Sequence, residues 1–96
     1  MTDSQKAFQA VLHAISDPTR RRILQVLKKE APGKQSGLCA SDIEAKIRLS
    51  QPTISHHMTV LQKAGLVDVR KDGLWRWYRR NETALNGFAR KLRRTL

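Results

Sequence analysis

The sequence predicts a mainly α-helical domain carrying one small β-hairpin, and three observations predict it. Apolar residues recur at helical spacing along most of the chain. Asp72-Gly73 stands between two short runs rich in Val, Trp and Tyr. The stretch from Ser50 to Gly65 reads as one helix whose two ends are both written into it: Ser50 suits the cap, Pro52 falls in the first turn where no intrahelical donor is missed, and Gly65 supplies the left-handed residue that stops the helix. On a wheel of about 100° per residue, Met58, Leu61 and Gly65 fall on the side of Ile54, while Pro52, His56, Thr59 and Lys63 gather opposite. A merely solvated face would favour long charged residues. Hydroxyls and imidazoles near a helix amino end instead suit a face that reads base edges.

Ninety-six residues make a single domain, 1–96, with a modest core. Nineteen Lys and Arg against eight Asp and Glu give a formal charge of +11 and a pI near 11.0, so the expected partner is a polyanion. No segment approaches the roughly 20 apolar residues that span a bilayer, and the amino end lacks the basic-then-apolar layout of a signal peptide. A soluble, cytoplasmic protein is expected, with no membrane partner. The single Cys excludes an internal disulfide framework and leaves Cys39 as either a small buried residue or a sensing thiol.

Phe8, Val11, Leu12 and Ile15 recur at helical spacing and predict a first helix over residues 4–16, with His13 off the stripe and facing solvent. Asp17-Pro18-Thr19 restarts the chain, because Asp caps and Pro suits the first helical position. The second helix runs to about Lys29, with Ile23, Leu24 and Leu27 inward and Val26 at the margin. Arg20, Arg21 and Arg22 oppose the macrodipole in its first turns, so they are either phosphate contacts or a solvated run. Residues 31–37 have the Pro, Gly and polar make-up of a connecting loop. Ser41-Asp42-Ile43-Glu44 fits a capping box and predicts a short third helix to about Ile47, with Ile43 and Ile47 inward. Arg48-Leu49-Ser50 then turns into the helix that ends at Gly65. Two helices joined by so short a turn, the second polar on its outer face, form a helix-turn-helix, whose second helix enters the DNA major groove.

After Gly65, residues 66–71 and 74–79 are the predicted strands of a hairpin turning at Asp72-Gly73. Val67 and Val69 share one face of the first strand, and at least one of Trp75, Trp77 and Tyr78 belongs in the core. Arg70, Lys71 and Arg76 suit a tip lying along a phosphate backbone or in the minor groove; a solvated basic hairpin is the plainer alternative. Asn81-Glu82-Thr83 caps a last helix, 82–96, with Leu85, Phe88, Leu92 and Leu96 on one stripe. Its expected cover is the first helix, of the same chain or of a second subunit. The architecture is then a dimeric winged helix-turn-helix of about five helices and a two-stranded wing.

Asp17-Pro18-Thr19-Arg20-Arg21-Arg22-Ile23-Leu24, Leu49-Ser50-Gln51-Pro52-Thr53-Ile54-Ser55-His56-His57-Met58 and Leu61-Gln62-Lys63-Ala64-Gly65-Leu66-Val67, with the Asp72-Gly73 wing, closely resemble the ArsR/SmtB family of winged-helix bacterial repressors. The resemblance implies a homodimer, built through the first and last helices, that binds an inverted repeat in double-stranded promoter DNA and blocks transcription. It places the DNA contacts at Gln51, Ser55 and His56 and at the wing residues Arg70 and Lys71. The wheel adds Thr53, Thr59 and Lys63, and the hairpin adds Arg76. Dimerisation is expected through Phe8, Val11, Leu12, Ile15, Leu85, Phe88 and Leu92.

Metal-sensing members of the family carry a Cys-x-Cys pair before the third-helix Asp, whereas this chain has Cys39-Ala40-Ser41-Asp42 and keeps only the first position. One thiolate does not close a site for a thiophilic ion, and residues 81–96 contain no His, Asp or Cys. His56 and His57 point about 100° apart and are poor joint ligands. No metal and no cofactor are therefore expected, and the effector stays unidentified. Two other functions fit the same residues: a non-specific nucleic-acid binder using the charge and the wing aromatics, and a repressor switched by oxidation of Cys39. An enzyme is not expected, since no Cys-His, Ser-His-Asp or paired-carboxylate arrangement is evident.

Overall fold

The computed structural model describes residues 2–30 and 37–96; the loop expected at 31–37 lies, except for Gly37, outside them. The element order is α1 (Asp3–Ile15), α2 (Pro18–Glu30), β1 (Leu38–Cys39), α3 (Ala40–Ile47), α4 (Gln51–Lys63), β2 (Val67–Asp72), β3 (Trp75–Arg80) and α5 (Glu82–Thr95). Each expected helix forms within a residue or two of its expected bounds.

The helix ends show why. Thr2 opens α1 with a reciprocal cap, its hydroxyl accepting from the Gln5 amide at 3.1 Å while Gln5 Oε1 accepts from the Thr2 amide at 2.8 Å. Asp17 opens α2, its Oδ1 accepting from the amides of Thr19 at 2.7 Å and Arg20 at 3.2 Å. Asn81 opens α5 by accepting from the Ala84 amide at 3.0 Å. Gly65 closes the α4 turn at φ +78°, a conformation that costs glycine little. Two expected caps differ. Ser50 occupies the cap position of α4, but its hydroxyl pairs with Thr53 Oγ1 at 2.9 Å instead of a backbone amide. The capping box of α3 begins two residues earlier than Ser41: Cys39 is the cap residue, and its amide donates to Asp42 Oδ2 at 3.1 Å.

The wing is three-stranded, not two-stranded, in the order β1-β3-β2. β1 pairs antiparallel with β3 through Leu38 opposite Tyr78 and Cys39 opposite Trp77. A two-residue strand is too short to show alternation, so periodicity does not reveal it. The approach to it requires Gly37, where an added Cβ would stand 2.1 Å from the Tyr78 carbonyl oxygen. The hairpin register is also shifted: Asp72 pairs with Trp75, leaving Gly73-Leu74 as the turn in place of Asp72-Gly73. Gly73 has φ +62° and Leu74 has no positive φ, the pattern of a II′ turn.

The core is one cluster drawn from α1 to α4, β2 and β3. Ile23, Leu24 and Leu27 meet Ile43 and Ile47 of α3, Ile54, Met58 and Leu61 of α4, and Leu66, Val67 and Tyr78 around the wing base. Tyr78 is thus the aromatic the core required, and Cys39 is buried. From α1, Val11 and Ala14 join this cluster. α5 contributes no buried residue and leans on α1 through a Phe8–Phe88 ring contact at 5.2 Å, with Lys91 Nζ bonded to Ser4. Among the described residues no helix is long and apolar enough to cross a membrane.

Candidate nucleic-acid interface

The outer face of α4 follows from what its inner face buries. Ile54, Met58 and Leu61 are 1%, 2% and 0% exposed, so the helix is pinned along one line and its rotation is set. Gln51, Thr53, Ser55, His56, Thr59 and Lys63 are all exposed on the remaining arc. The turn that carries this helix, Arg48-Leu49-Ser50, is tight enough to hold Arg48 at φ +64°, the one non-glycine positive φ among the described residues.

Not all six side chains are equally free. Thr59 Oγ1 donates to the Ser55 carbonyl at 3.0 Å, and Thr53 is engaged by the Ser50 hydroxyl. Thr59 therefore presents its acceptor lone pairs, whereas Thr53, whose bond to Ser50 runs in either direction, can still donate or accept. Gln51, Ser55 and Lys63 make no side-chain hydrogen bond to another described residue, and the His56 ring lies 5.5 Å, between centroids, from the ring of His57.

The wing residues are exposed as well, but the register separates them. Lys71 lies opposite Arg76 on the sheet face that carries Val69 and Tyr78, whereas Arg70 lies opposite Trp77 on the other face. Trp75 and Trp77 stack there with centroids 6.2 Å apart. Between α3, α4 and the wing lies a cleft of about 480 Å³ whose lining includes Gln51, Ser55 and Arg76. Thr53, His56, Thr59, Lys63, Arg70 and Lys71 lie outside it.

The structure corrects two readings of charged and apolar residues. Arg20, offered as a phosphate contact or part of a solvated run, is neither: it is 6% exposed, and its Nε donates to the Ala14 carbonyl at 2.7 Å. Arg21 donates to the Ile15 carbonyl at 2.7 Å and Arg22 to the Lys46 carbonyl at 3.3 Å, so these guanidiniums satisfy the orphan carbonyls at the ends of α1 and α3. A signal for Arg20 was present, since it precedes Ile23, Leu24 and Leu27 by three, four and seven positions and lies on their stripe. Val11, expected at a subunit interface, is 8% exposed and packs in its own chain's core; Phe8, Leu12, Ile15, Leu85, Phe88 and Leu92 are only half-buried.

Arg20 also reaches the reading helix. Its Nη1 lies 3.1 Å from His57 Nδ1. Because arginine only donates, this nitrogen of His57 is the acceptor and the ring is neutral, with its proton on Nε2. Burial lowers the His57 pKa, and the neighbouring charges of Arg20 and His56 lower it further against the pull of Asp17. At Asp17 burial raises the pKa, but the amides of Arg20 and Thr19 and the Arg20 charge outweigh it and hold the carboxyl below its ordinary value. Two adjacent histidines thus have opposite surroundings, His56 in solvent and His57 tied to the framework. Among the described residues no group of three or more His, Cys, Asp or Glu side chains is arranged to hold a metal ion.

Comparison with known proteins agrees with this geometry. The pattern described as bacterial regulatory protein, arsR family, matches residues 17–69, from the α2 cap through the helix-turn-helix into β2. The arsenical resistance operon repressor of Staphylococcus aureus is 37% identical over 89 residues, spanning 93% of this chain and 80% of that protein. An ArsR-like transcriptional regulator from Rhodococcus sp. RHA1 superposes with a TM-score of 0.80 at 30% identity, over 98% of this chain and 83% of that one. A homodimeric winged helix-turn-helix DNA-binding domain from Mycobacterium bovis shares the fold with a TM-score of 0.74 at 23% identity, over 93% and 82% of the two chains. The chain belongs to the ArsR family of bacterial regulatory proteins and is a transcriptional regulator built on a winged helix-turn-helix.

Proposed function

We propose that residues 1–96 act as one cytoplasmic winged-helix domain that dimerises through α1 and α5, binds an inverted repeat in promoter DNA and represses transcription. The observation that carries this reading is the exposed, short-chained polar face of α4, locked in rotation by Ile54, Met58 and Leu61. Gln51, Ser55 and His56 contact base edges in the major groove, with the Thr53 hydroxyl nearby. Thr59, Lys63, Arg70, Lys71 and Arg76 meet phosphates on either side of the reading helix. Dimerisation is supported by α5, an amphipathic helix with no buried residue in its own chain, and by the homodimeric relative of the same fold. Phe8, Leu12, Ile15, Leu85, Phe88 and Leu92 supply the apolar contacts across the two-fold axis.

Selection of bound duplexes from a random pool tests the whole reading. The expected product is a palindrome whose half-sites are centred about 10–10.5 base pairs apart, or a multiple of that, because half-site spacing mirrors the protein's two-fold axis. Binding should weaken with salt by a slope of roughly 0.9 per phosphate neutralised. Recovery of no common sequence, with unrelated duplex displacing any fragment mole for mole, would show a non-specific nucleic-acid binder instead.

A further inference from the structure

The cleft between the helix-turn-helix and the wing contains a group that DNA binding does not use. Glu44 lines it, and its Oε1 is buried without a hydrogen-bond partner among the described residues. The sequence had assigned Glu44 to a cap; because the α3 cap moved to Cys39 and Asp42, that role is filled and the Glu44 carboxylate is left over. A buried carboxylate oxygen without a donor is costly. It is also ill-suited to a channel meant only for a phosphate backbone, since like charges repel there. The rest of the lining is mixed: Ile54 and Met58 from α4 and Leu74, Trp75 and Tyr78 from the wing are apolar or aromatic, and Ser41, Gln51 and Ser55 are polar. At about 480 Å³ the cleft falls within the size range of small-molecule sites. Arg76 also lines it, but Arg76 is exposed and its charge is screened by solvent, whereas the Glu44 oxygen is not.

We propose that this cleft binds a small organic ammonium ion, its cationic head bonded to Glu44 and its apolar body lying against Met58 and the wing residues Leu74 and Trp75 that line the cleft. The bond from the head to the Glu44 carboxylate is charge-assisted. Because Gln51 and Ser55 of the reading helix and Arg76 of the wing all line the cleft, an occupant stands between two elements proposed to meet DNA. Occupancy therefore opposes DNA binding, a consequence that rests on the function proposed above; the binding itself does not.

The test uses the full chain without DNA. Both tryptophans, Trp75 and Trp77, lie in β3, so intrinsic fluorescence reports on the wing. Titration with 2-phenylethylammonium should give a saturable change, weaker by about tenfold or more with the neutral isostere 2-phenylethanol and in Glu44→Gln. Glu44→Gln should melt at the same temperature as the parent or higher, since it removes an unpartnered charge. No saturation at millimolar concentration, equal response to the alcohol, unchanged affinity in Glu44→Gln, or a lowered melting temperature would each overturn the site. A gel shift with added 2-phenylethylammonium is read separately. Weakened DNA binding supports the regulatory part, and unaffected DNA binding removes that part alone. A chain that binds the amine but no DNA at all counts against the proposed function and leaves the site standing.

Discussion

α4 and α5 are both amphipathic helices, of 13 and 14 residues, yet one is buried in its own chain's core and the other only lies against it. α4 buries Ile54, Met58 and Leu61 almost completely and is packed by α1, α2, α3 and β2. α5 holds Leu85, Phe88 and Leu92 half-buried and leaves Leu96 93% exposed. An apolar stripe does not by itself say what covers it. Position in the fold assigns the cover: α4 sits inside the core cluster, while α5 lies on the outside of it through Leu85 and Phe88 and meets α1 through Phe8.

The largest effect should come from breaking the anchored side. Ile54→Ala leaves a cavity where nothing can collapse freely and should lower unfolding free energy by about 2–5 kcal/mol in urea titrations, a large share of a small domain's stability. A change under about 1 kcal/mol would mean α4 is held differently. On the opposite side of the same helix, Ser55→Ala and His56→Ala should each cost about 1–3 kcal/mol of binding to the selected operator while moving stability by less than about 0.5 kcal/mol. Retained operator affinity in the double variant would remove α4 as the reading helix.

α5 should respond in the reverse sense. Leu92→Glu should change the unfolding free energy of the isolated chain by less than about 1 kcal/mol, because the residue is only half-buried there, yet abolish the dimer in sedimentation equilibrium. Persistence of the dimer would place the subunit contact elsewhere.

The smallest effect concerns how α4 is tied to α1 through Arg20 and His57. His57 has a lowered pKa in the folded chain, so as pH falls through the ordinary imidazole range near about 6.5 the unfolded chain takes up the proton first and stability declines. The loss stops once pH lies below the folded-state pKa. Urea melts of the parent at about pH 7.5 and about pH 5.5 should show this decline, and His57→Gln should reduce it. An equal decline in His57→Gln would assign the effect to other groups.

Much of the fold and site was legible in the chain. The periods of Ile54, Met58 and Leu61, the caps at Asp17 and Asn81 and the stops at Gly65 and Gly73 are local instructions, and local hydrogen bonds and steric limits execute them wherever the segment lies. Even the burial of Arg20 was encoded, in its place on the α2 stripe, although its charge argued for solvent. What the sequence left open concerned pairs distant along the chain. The Leu38–Tyr78 pairing that completes the wing, the bond from Arg20 to His57, the covering of Val11 by its own core and the meeting of Glu44 and Trp75 in the lining of one cleft each join segments brought together only by packing. Periodicity specifies which face of an element is apolar, but the partner of that face is chosen by the collective burial of all the others, and that choice exists only in the tertiary structure.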